Sequence, residues 1–223
     1  MILLAVTTDG RAECIERSID SLLKRVGGLD GRRLIFDDSG DRGYRRWLRS
    51  KFGPEGFTVI GSGFRLGQDM ALRAMWRALR AEELAEHAWV MHAEDDFVYE
   101  RDVDARELCE VLAERPYLAQ MALLRQPWFP AERKAGGIVE RDPGAYTYVS
   151  EGSRRWLEHR LWFTLNPCLY SRRLCNREWP RGRRHEWRFG RELCLDPDVR
   201  FGLWGDGEPW VTHIGERRVG RGY

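Results

Sequence analysis

The sequence predicts an α/β fold built on a mostly parallel sheet, and three observations carry that prediction. Apolar, β-branched runs recur at 2–8, 32–36, 57–60 and 87–92. Segments with helical apolar spacing separate these runs. Acidic or glycine-rich turns close each of the four. Strands alternating with helices form βαβ units, and open α/β sheets bind ligands at the carboxyl ends of their strands. Function is therefore expected at Thr7–Asp9, Asp37–Asp38, 61–67 and Glu94–Asp96.

The elements follow in order. Residues 2–8 form a continuous apolar run, as in a strand buried on both faces, and Asp9-Gly10 breaks it. Cys14, Ile15, Ile19, Leu22, Leu23 and Val26 recur at helical spacing over 12–26, and Gly27-Gly28 ends that helix. A strand at 32–36 runs into Asp37-Asp38-Ser39-Gly40, and a short helix follows around Tyr44, Trp47 and Leu48. After the strand at 57–60 and the turn Gly61-Ser62-Gly63 comes a long helix over 67–86. The strand 87–92, the helix 102–114 and the strand 117–124 complete the regular part. Beyond it, the Pro- and Gly-punctuated stretch 127–150 reads as a long loop. Residues 161–170 read as a strand, 184–195 as an Arg-rich helix, and 199–204 and 209–214 as two short strands. No repeat, low-complexity tract or linker divides the chain. The expectation is one domain over 1–223, with a ligand-binding half at 1–125 and an elaborated half at 126–223.

Composition narrows the function classes. The chain is 43% hydrophobic and 32% charged with a net charge of +2, which supports a packed core and excludes general disorder. No apolar run approaches the ~20 residues of a membrane helix, and the N-terminus carries no basic leader. Five cysteines without a CxxC pair favour free thiols and a cytoplasmic location over a disulfide framework. Charge is uneven: residues 151–191 hold 11 Arg against 4 Glu, on an otherwise near-neutral chain. A basic segment of this kind suggests an anionic partner.

The sharpest feature is Glu94-Asp95-Asp96 at the end of the fourth strand. Three adjacent carboxylates repel one another and invite a hard cation, Mg²⁺ or Mn²⁺. The blander role for such a triplet is a solvated turn at the head of the next helix. Its company favours the former. Thr7-Thr8-Asp9-Gly10-Arg11, with Arg17-Ser18-Ile19-Asp20-Ser21-Leu22-Leu23 on the helix behind it, resembles the opening of family-2-like nucleotide-sugar glycosyltransferases of the GT-A fold. Phe36-Asp37-Asp38-Ser39-Gly40 is similar to the acidic turn after their second strand, and Gly63-Phe64-Arg65-Leu66-Gly67 to their third turn. Glu94-Asp95-Asp96 resembles their DxD metal motif, and Trp210-Val211-Thr212-His213-Ile214-Gly215 the histidine segment that completes the metal shell. The resemblance spans about 1–125 closely and 160–215 loosely, and includes viral DNA-modifying members.

The resemblance implies a metal-dependent, inverting glycosyltransferase that uses a nucleotide-diphospho-sugar, with a UDP-sugar favoured. It places Thr7, Asp9 and Arg65 around the nucleotide, and Asp37 or Asp38 on the base. Glu94 and Asp95 come near the sugar or ribose, and Asp96 with His213 on the metal. Glu in place of the first Asp lengthens that side chain, and Asp95 leaves open which of Asp95 and Asp96 holds the ion. Neutralising the departing diphosphate is what a divalent cation would supply. Inverting transfer also needs a base for the acceptor hydroxyl. Glu186 is the first candidate and Asp206 the second, with His185 behind them; a helix salt bridge to the neighbouring arginines is the plain alternative for Glu186.

Residues 154–191 interleave arginine with Trp156, Trp162, Phe163, Trp179, Trp187 and Phe189. Arginine pairs with phosphate and aromatics stack on bases and sugars. The preferred acceptor is therefore hydroxymethylated DNA gripped through 154–191, with a protein or glycan acceptor as the alternative. A non-catalytic nucleic-acid-binding module is the competing class. A Rossmann oxidoreductase is disfavoured, because GxGxxxG follows the third strand instead of the first, and a P-loop kinase is excluded by the absence of GxxxxGK[ST].

Overall fold

The computed structural model describes residues 1–81 and 88–215. The far end of the third expected helix (82–86) and His87 lie outside the described residues. The first half alternates as expected: β1 (Ile2–Thr8), α1 (Ala12–Arg25), β2 (Val26–Gly27), β3 (Arg33–Asp37), α2 (Arg42–Phe52), β4 (Phe57–Gly61), α3 (Gln68–Ala81) and β5 (Trp89–Glu94). Then come β6 (Phe97–Tyr99), β7 (Val103–Asp104), α4 (Ala105–Glu114) and β8 (Leu118–Leu123). The second half contains α5 (Pro130–Ala135), α6 (Ile138–Arg141), β9 (Thr147–Glu151), β10 (Arg154–His159), β11 (Cys168–Ser171), α7 (His185–Leu193), β12 (Arg200–Trp204) and β13 (Val211–His213).

Nine strands make one sheet in the order β4-β3-β1-β5-β11-β8-β12-β10-β9. The block β4-β3-β1-β5 is parallel throughout. β11 runs antiparallel between β5 and β8, β12 returns parallel to β8, and β10 opposes both β12 and β9. Seven of the nine strands therefore point the same way, with β10 and β11 reversed.

The period of two along β1 divides the core into two layers. Ile2, Leu4 and Val6 pack with Ile15, Ile19 and Leu22 of α1, Phe52 of α2 and Leu108 of α4. Leu3 and Ala5 face the other way, onto Leu72, Met75 and Trp76 of α3 and Phe189 of α7. Asp41 caps α2 by accepting from the amides of Gly43 (2.6 Å) and Tyr44 (3.2 Å), and Asp104 caps α4 through Arg106 (2.9 Å). Register then levels the strand ends, since Thr7 stands opposite both Phe36 and Glu94, and Thr8 opposite Asp37.

The second half corrects two expectations. The stretch 127–150 is no structureless loop, because it holds α5, α6, a 3₁₀ turn at Pro143–Ala145 and β9. The strand expected over 161–170 is confined to β11, and β10 precedes it. Residues 162–165 instead line the core and a cleft, so their apolar run reflects burial without ladder pairing. The five cysteines are free, and among the described residues no helix is long and apolar enough to cross a membrane.

Two buried histidines make stability pH-dependent. Burial pushes His92 down to about 4 and His159 to about 3, and neither nitrogen of His92 has a hydrogen-bond partner. Below pH ~6.5 the unfolded chain takes up protons that the folded chain refuses, so stability falls as pH drops. For His92 the loss between pH 7 and pH 5 should be about 2 kcal/mol. Urea unfolding of His92→Leu against the parent should show that much less acid sensitivity; parallel pH slopes would refute the assignment.

Candidate active site

The acidic turn closes β5 where β1 ends beside it. The Asp95 amide donates to the Thr7 carbonyl (3.0 Å), which docks the turn against β1. Asp95 is held at both carboxylate oxygens: Oδ2 accepts from Thr8 Oγ1 (2.6 Å) and the Asp9 amide (3.4 Å), and Oδ1 accepts from Arg11. Burial lifts Asp95 to about 6 against the opposing pull of Arg11. Thr8 is itself bonded to the Tyr44 hydroxyl at 2.7 Å. Asp95 thus ties the turn to β1 and α1.

Asp96 differs. Its Oδ2 accepts from Arg11 Nη1 (2.6 Å) and lies 3.1 Å from His213 Nε2, while its buried Oδ1 has no hydrogen-bond partner among the described residues. Burial works against its charge, yet His213 and Arg11 hold it below the usual carboxylate range. His213 arrives through β13, which pairs antiparallel with β6 so that His213 stands opposite Phe97. The Gln126 side chain fixes that strand from the other side, donating to the His213 carbonyl (2.9 Å) and accepting from its amide (2.8 Å). Trp128 stacks edge-on against the imidazole with centroids 4.2 Å apart.

A divalent ion suits this pair. One carboxylate with an unsatisfied buried oxygen and one imidazole provide two ligands, and such ions complete their shells with phosphate oxygens and water. Among the described residues no group of three or more His, Cys, Asp or Glu is arranged to hold a metal unaided. Between the two adjacent carboxylates, Asp96 is the one with a free oxygen, and Asp95 is spent on structure.

Glu94 stands where two cavities meet. The smaller, of about 70 Å³, is lined by Thr7, Asp9, Arg11, Asp38 and Asp95. The larger, of about 590 Å³, is lined by Trp128, Trp162, Glu186, Trp187 and His213, among others. Glu94 and Gln68 border both, and Gln68 Nε2 donates to Glu94 Oε1 at 3.0 Å. Burial, reinforced by the carboxylates of Asp96 and Glu186, raises Glu94 well above the usual range.

Glu186 faces the larger cavity from the first turn of α7. Its Oε2 accepts from the Leu165 amide at 3.0 Å, and burial lifts it to about 7, opposed by that amide and by Arg125. The backbone loop that supplies Leu165 is itself pinned by buried Gln120, which donates to the Thr164 carbonyl (3.0 Å) and accepts from the Thr164 amide (2.9 Å). Arg125 forks onto Glu132 (2.8 and 3.2 Å) at the cavity wall. His185 also reaches the cavity, but its Nδ1 accepts from Trp179 Nε1 (3.1 Å). Gly190 lets α7 lie this close: a Cβ there would come 2.6 Å from the Phe163 amide nitrogen.

Thr7, Asp9, Asp38, Glu94, Asp95, His213 and Glu186 therefore line the two cavities, and Asp96 joins them through His213. Arg65 sits at the rim, exposed, and donates to the Asp9 carbonyl (2.6 Å). Asp38 lines the smaller cavity while accepting from the amides of Leu66 (2.7 Å) and Gly67 (3.0 Å), and burial raises it. Two candidates lie apart from the cavities. Asp37 is fully buried and consumed by Arg45 Nε (2.8 Å) and the Ser39 amide (2.8 Å), so it braces the turn and borders neither cavity. Asp206 is half-exposed on the turn after β12, 3.6 Å from Arg155, and borders neither cavity. Sequence reasoning passed over Gln68, Arg125, Trp128 and Glu132, and quoted Arg11 without a role. Only the close pairing of Arg11 with an acidic turn offered a signal for any of these, and nothing local marks the others.

No family model and no curated protein matches this chain. Solved structures match it in fold. The mannosyltransferase PcManGT from Pyrobaculum calidifontis, in complex with GDP-Man and Mn²⁺, aligns with a TM-score of 0.58 and 16% identity, over 98% of this chain and 58% of its own. TarS 1-349 of S. aureus in complex with UDP-GlcNAc gives 0.61 and 13% identity, over 97% and 59%. GalNAc-T7 with UDP, GalNAc and Mn²⁺ gives 0.64 and 10% identity, over 98% and 44%. The chain spans between 44% and 59% of the length of these three. The likeness establishes the GT-A fold for the described residues.

The close seat of α7 yields one measurable consequence. Gly190→Ala should lift the helix from residues 162–163 and cost about 1–3 kcal/mol in denaturant unfolding. An unchanged midpoint would show that the helix adjusts without strain.

Proposed function

We propose that this protein transfers a sugar from a nucleotide-diphospho-sugar to an acceptor hydroxyl with the help of a divalent ion, and that the transfer inverts the anomeric centre. One observation carries the reading: Glu94 separates a cavity bordered by the Thr7–Asp9 turn from a cavity holding a carboxyl poised near neutral pH, with the Asp96–His213 pair beside it. That is the layout a two-substrate transfer requires, with donor on one side and acceptor with its base on the other. The solved relatives in fold carry GDP-Man, UDP-GlcNAc or UDP, two of them with Mn²⁺.

In this reading Thr7, Asp9, Asp38 and Arg65 receive the nucleotide, with UDP favoured. Asp96 and His213 hold the divalent ion, Mn²⁺ before Mg²⁺ because imidazole suits it better. When bound, that ion neutralises charge on the departing diphosphate. Glu186 takes the proton from the acceptor hydroxyl as its oxygen bonds to the anomeric carbon. The bond from that carbon to the diphosphate breaks, and its electron pair leaves with the diphosphate. Burial and acidic neighbours favour the protonated form of Glu94, in which it can donate a hydrogen bond to the sugar between the two sides.

For the acceptor, the lining favours a polyhydroxylated, uncharged ring over hydroxymethylated DNA. The larger cavity presents Trp128, Trp162 and Trp187 together with Glu186 and Glu94. Aromatic faces suit sugar rings, and carboxyls suit hydroxyl groups. Much of the arginine of 154–191 is turned outward into the fold's own contacts: Arg154 on Glu110, Arg155 near Asp206, Arg160 on the carbonyls of Cys194 and Asp196. A nucleic-acid-binding module has no use for two cavities lined with acids. Soluble expression and a cytoplasmic location belong to this proposal as well.

Three measurements test the proposal. UDP with Mn²⁺ should raise the melting temperature, and Asp96→Asn should abolish the Mn²⁺-dependent part; no response from the parent protein would sink the donor assignment. Glu186→Gln should lower kcat by about 10²–10⁴ while the UDP–Mn²⁺ shift persists. In the parent, activity should rise with pH through about 7, since the base works deprotonated, and the glutamine variant should lack that limb. A panel of nucleotide sugars offered with glycans or with hydroxymethylated DNA, read by mass, decides the acceptor: mass gain on DNA alone overturns the glycan choice.

A further inference from the structure

Arg11 occupies the centre of the acidic cluster. Its guanidinium reaches Asp96 Oδ2 through Nη1 (2.6 Å) and Asp95 Oδ1 through Nη2, and Nε lies 3.1 Å from Asp9 Oδ1. Burial alone would weaken its hold on the proton, but the three carboxylates keep it firmly charged. The contact is enclosed. Asp96 is only 4% exposed, and a Cβ on Gly215 would collide with both Asp96 and Arg11, so the backbone at 215 is pressed against the ion pair. The same Asp96 oxygen is shared with His213, and Asp96 Oδ1 is left buried and unpartnered.

This arrangement places a fixed positive charge on the side chain best suited to receive a second one. Like charges a few ångströms apart in a partly dry pocket repel strongly. A nucleotide diphosphate would bring negative charge to the same corner and offset that repulsion. Arg11 borders the smaller cavity, where the donor reading puts the nucleotide, so its guanidinium has a phosphate within its own reach to turn toward.

We propose that Arg11 is a positioning residue that couples divalent-ion binding to donor binding, by filling the cluster with its own charge until a diphosphate arrives. The inference rests on the reading of Asp96 and His213 as the ion's ligands. Linkage then requires that each ligand tighten the other by the same factor, and that a nucleotide-free protein bind the ion weakly.

The test is Mn²⁺ binding, followed by the electron paramagnetic resonance signal of free Mn²⁺, with and without saturating UDP. The parent should bind Mn²⁺ at least tenfold tighter with UDP. Arg11→Gln should bind Mn²⁺ without UDP at least tenfold tighter than the parent does, and its coupling to UDP should shrink. The double variant Arg11→Gln with Asp95→Asn keeps the parent's net charge in the cluster, which guards against misfolding from unopposed carboxylates; because Arg11 lies 2.6 Å from Asp96 Oδ2, it should still bind Mn²⁺ tighter than the parent, though less tightly than Arg11→Gln alone. Parent-like Mn²⁺ affinity without UDP in both variants overturns the role of Arg11 while leaving the metal pair intact. Failure of the parent to bind Mn²⁺ even with UDP overturns the metal pair itself, and this inference with it.

Discussion

The structure depends on how four carboxyl groups are kept together out of water. Glu94 borders both cavities, Asp95 the smaller and Glu186 the larger, with Asp96 behind His213, and burial penalises each as an anion. The chain meets this in two ways. Asp95 and Asp96 share Arg11, and Asp96 also has His213, so their charge is matched. Among the described residues the hydrogen-bond donors to Glu94 and Glu186 are neutral, the Gln68 amide and the Leu165 amide, and both acids respond to burial by holding their protons more tightly. The same constraint therefore yields one ionised pair suited to cations and one pair suited to proton traffic.

The two halves supply these groups by different means. In the first half, backbone register does the placing: parallel pairing levels the ends of β1, β3 and β5, so Thr7, Asp37 and Glu94 follow from the ladder. For the second half, two amide side chains, buried Gln120 and half-buried Gln126, stand in for missing ladder partners. Gln120 brackets Thr164 and Gln126 brackets His213, each giving and taking one hydrogen bond. Removal of the Gln120 amide would leave two backbone groups unsatisfied in a dry interior, which is costlier than the loss of one ordinary bond. This explains how irregular chain can hold Glu186 and His213 as firmly as strands hold the acidic turn.

Legibility in the sequence followed the length of the repeating pattern. β1, α1, α3 and β5 announce themselves because each exposes one period of apolar spacing over several residues. The stretch 127–150 hid its two short helices, since four to six residues hold barely one helical turn and the Pro and Gly around them mimic a loop. β10 reads Arg-Arg-Trp-Leu-Glu-His, and its charged residues masked a strand whose last four side chains are buried. Glu158 survives there because Tyr117 and Trp156 both donate to it at 3.0 Å, contacts that no local pattern reports.

By itself, the sequence determined the alternating layers and the position of the acidic turn at a strand end, because strand termini and residue chemistry are local properties; the candidacy of His213 and Glu186 came from the family resemblance. Tertiary structure decided what each acid does. Asp37 and Asp38 are adjacent, yet one is spent on Arg45 and the other borders a cavity. Asp95 and Asp96 are adjacent, yet one is a tether and the other keeps an open oxygen. Arg11 meets partners more than eighty positions away. A carboxylate's role is set by the donors and the water left around it, and those are assigned only when distant segments close over it.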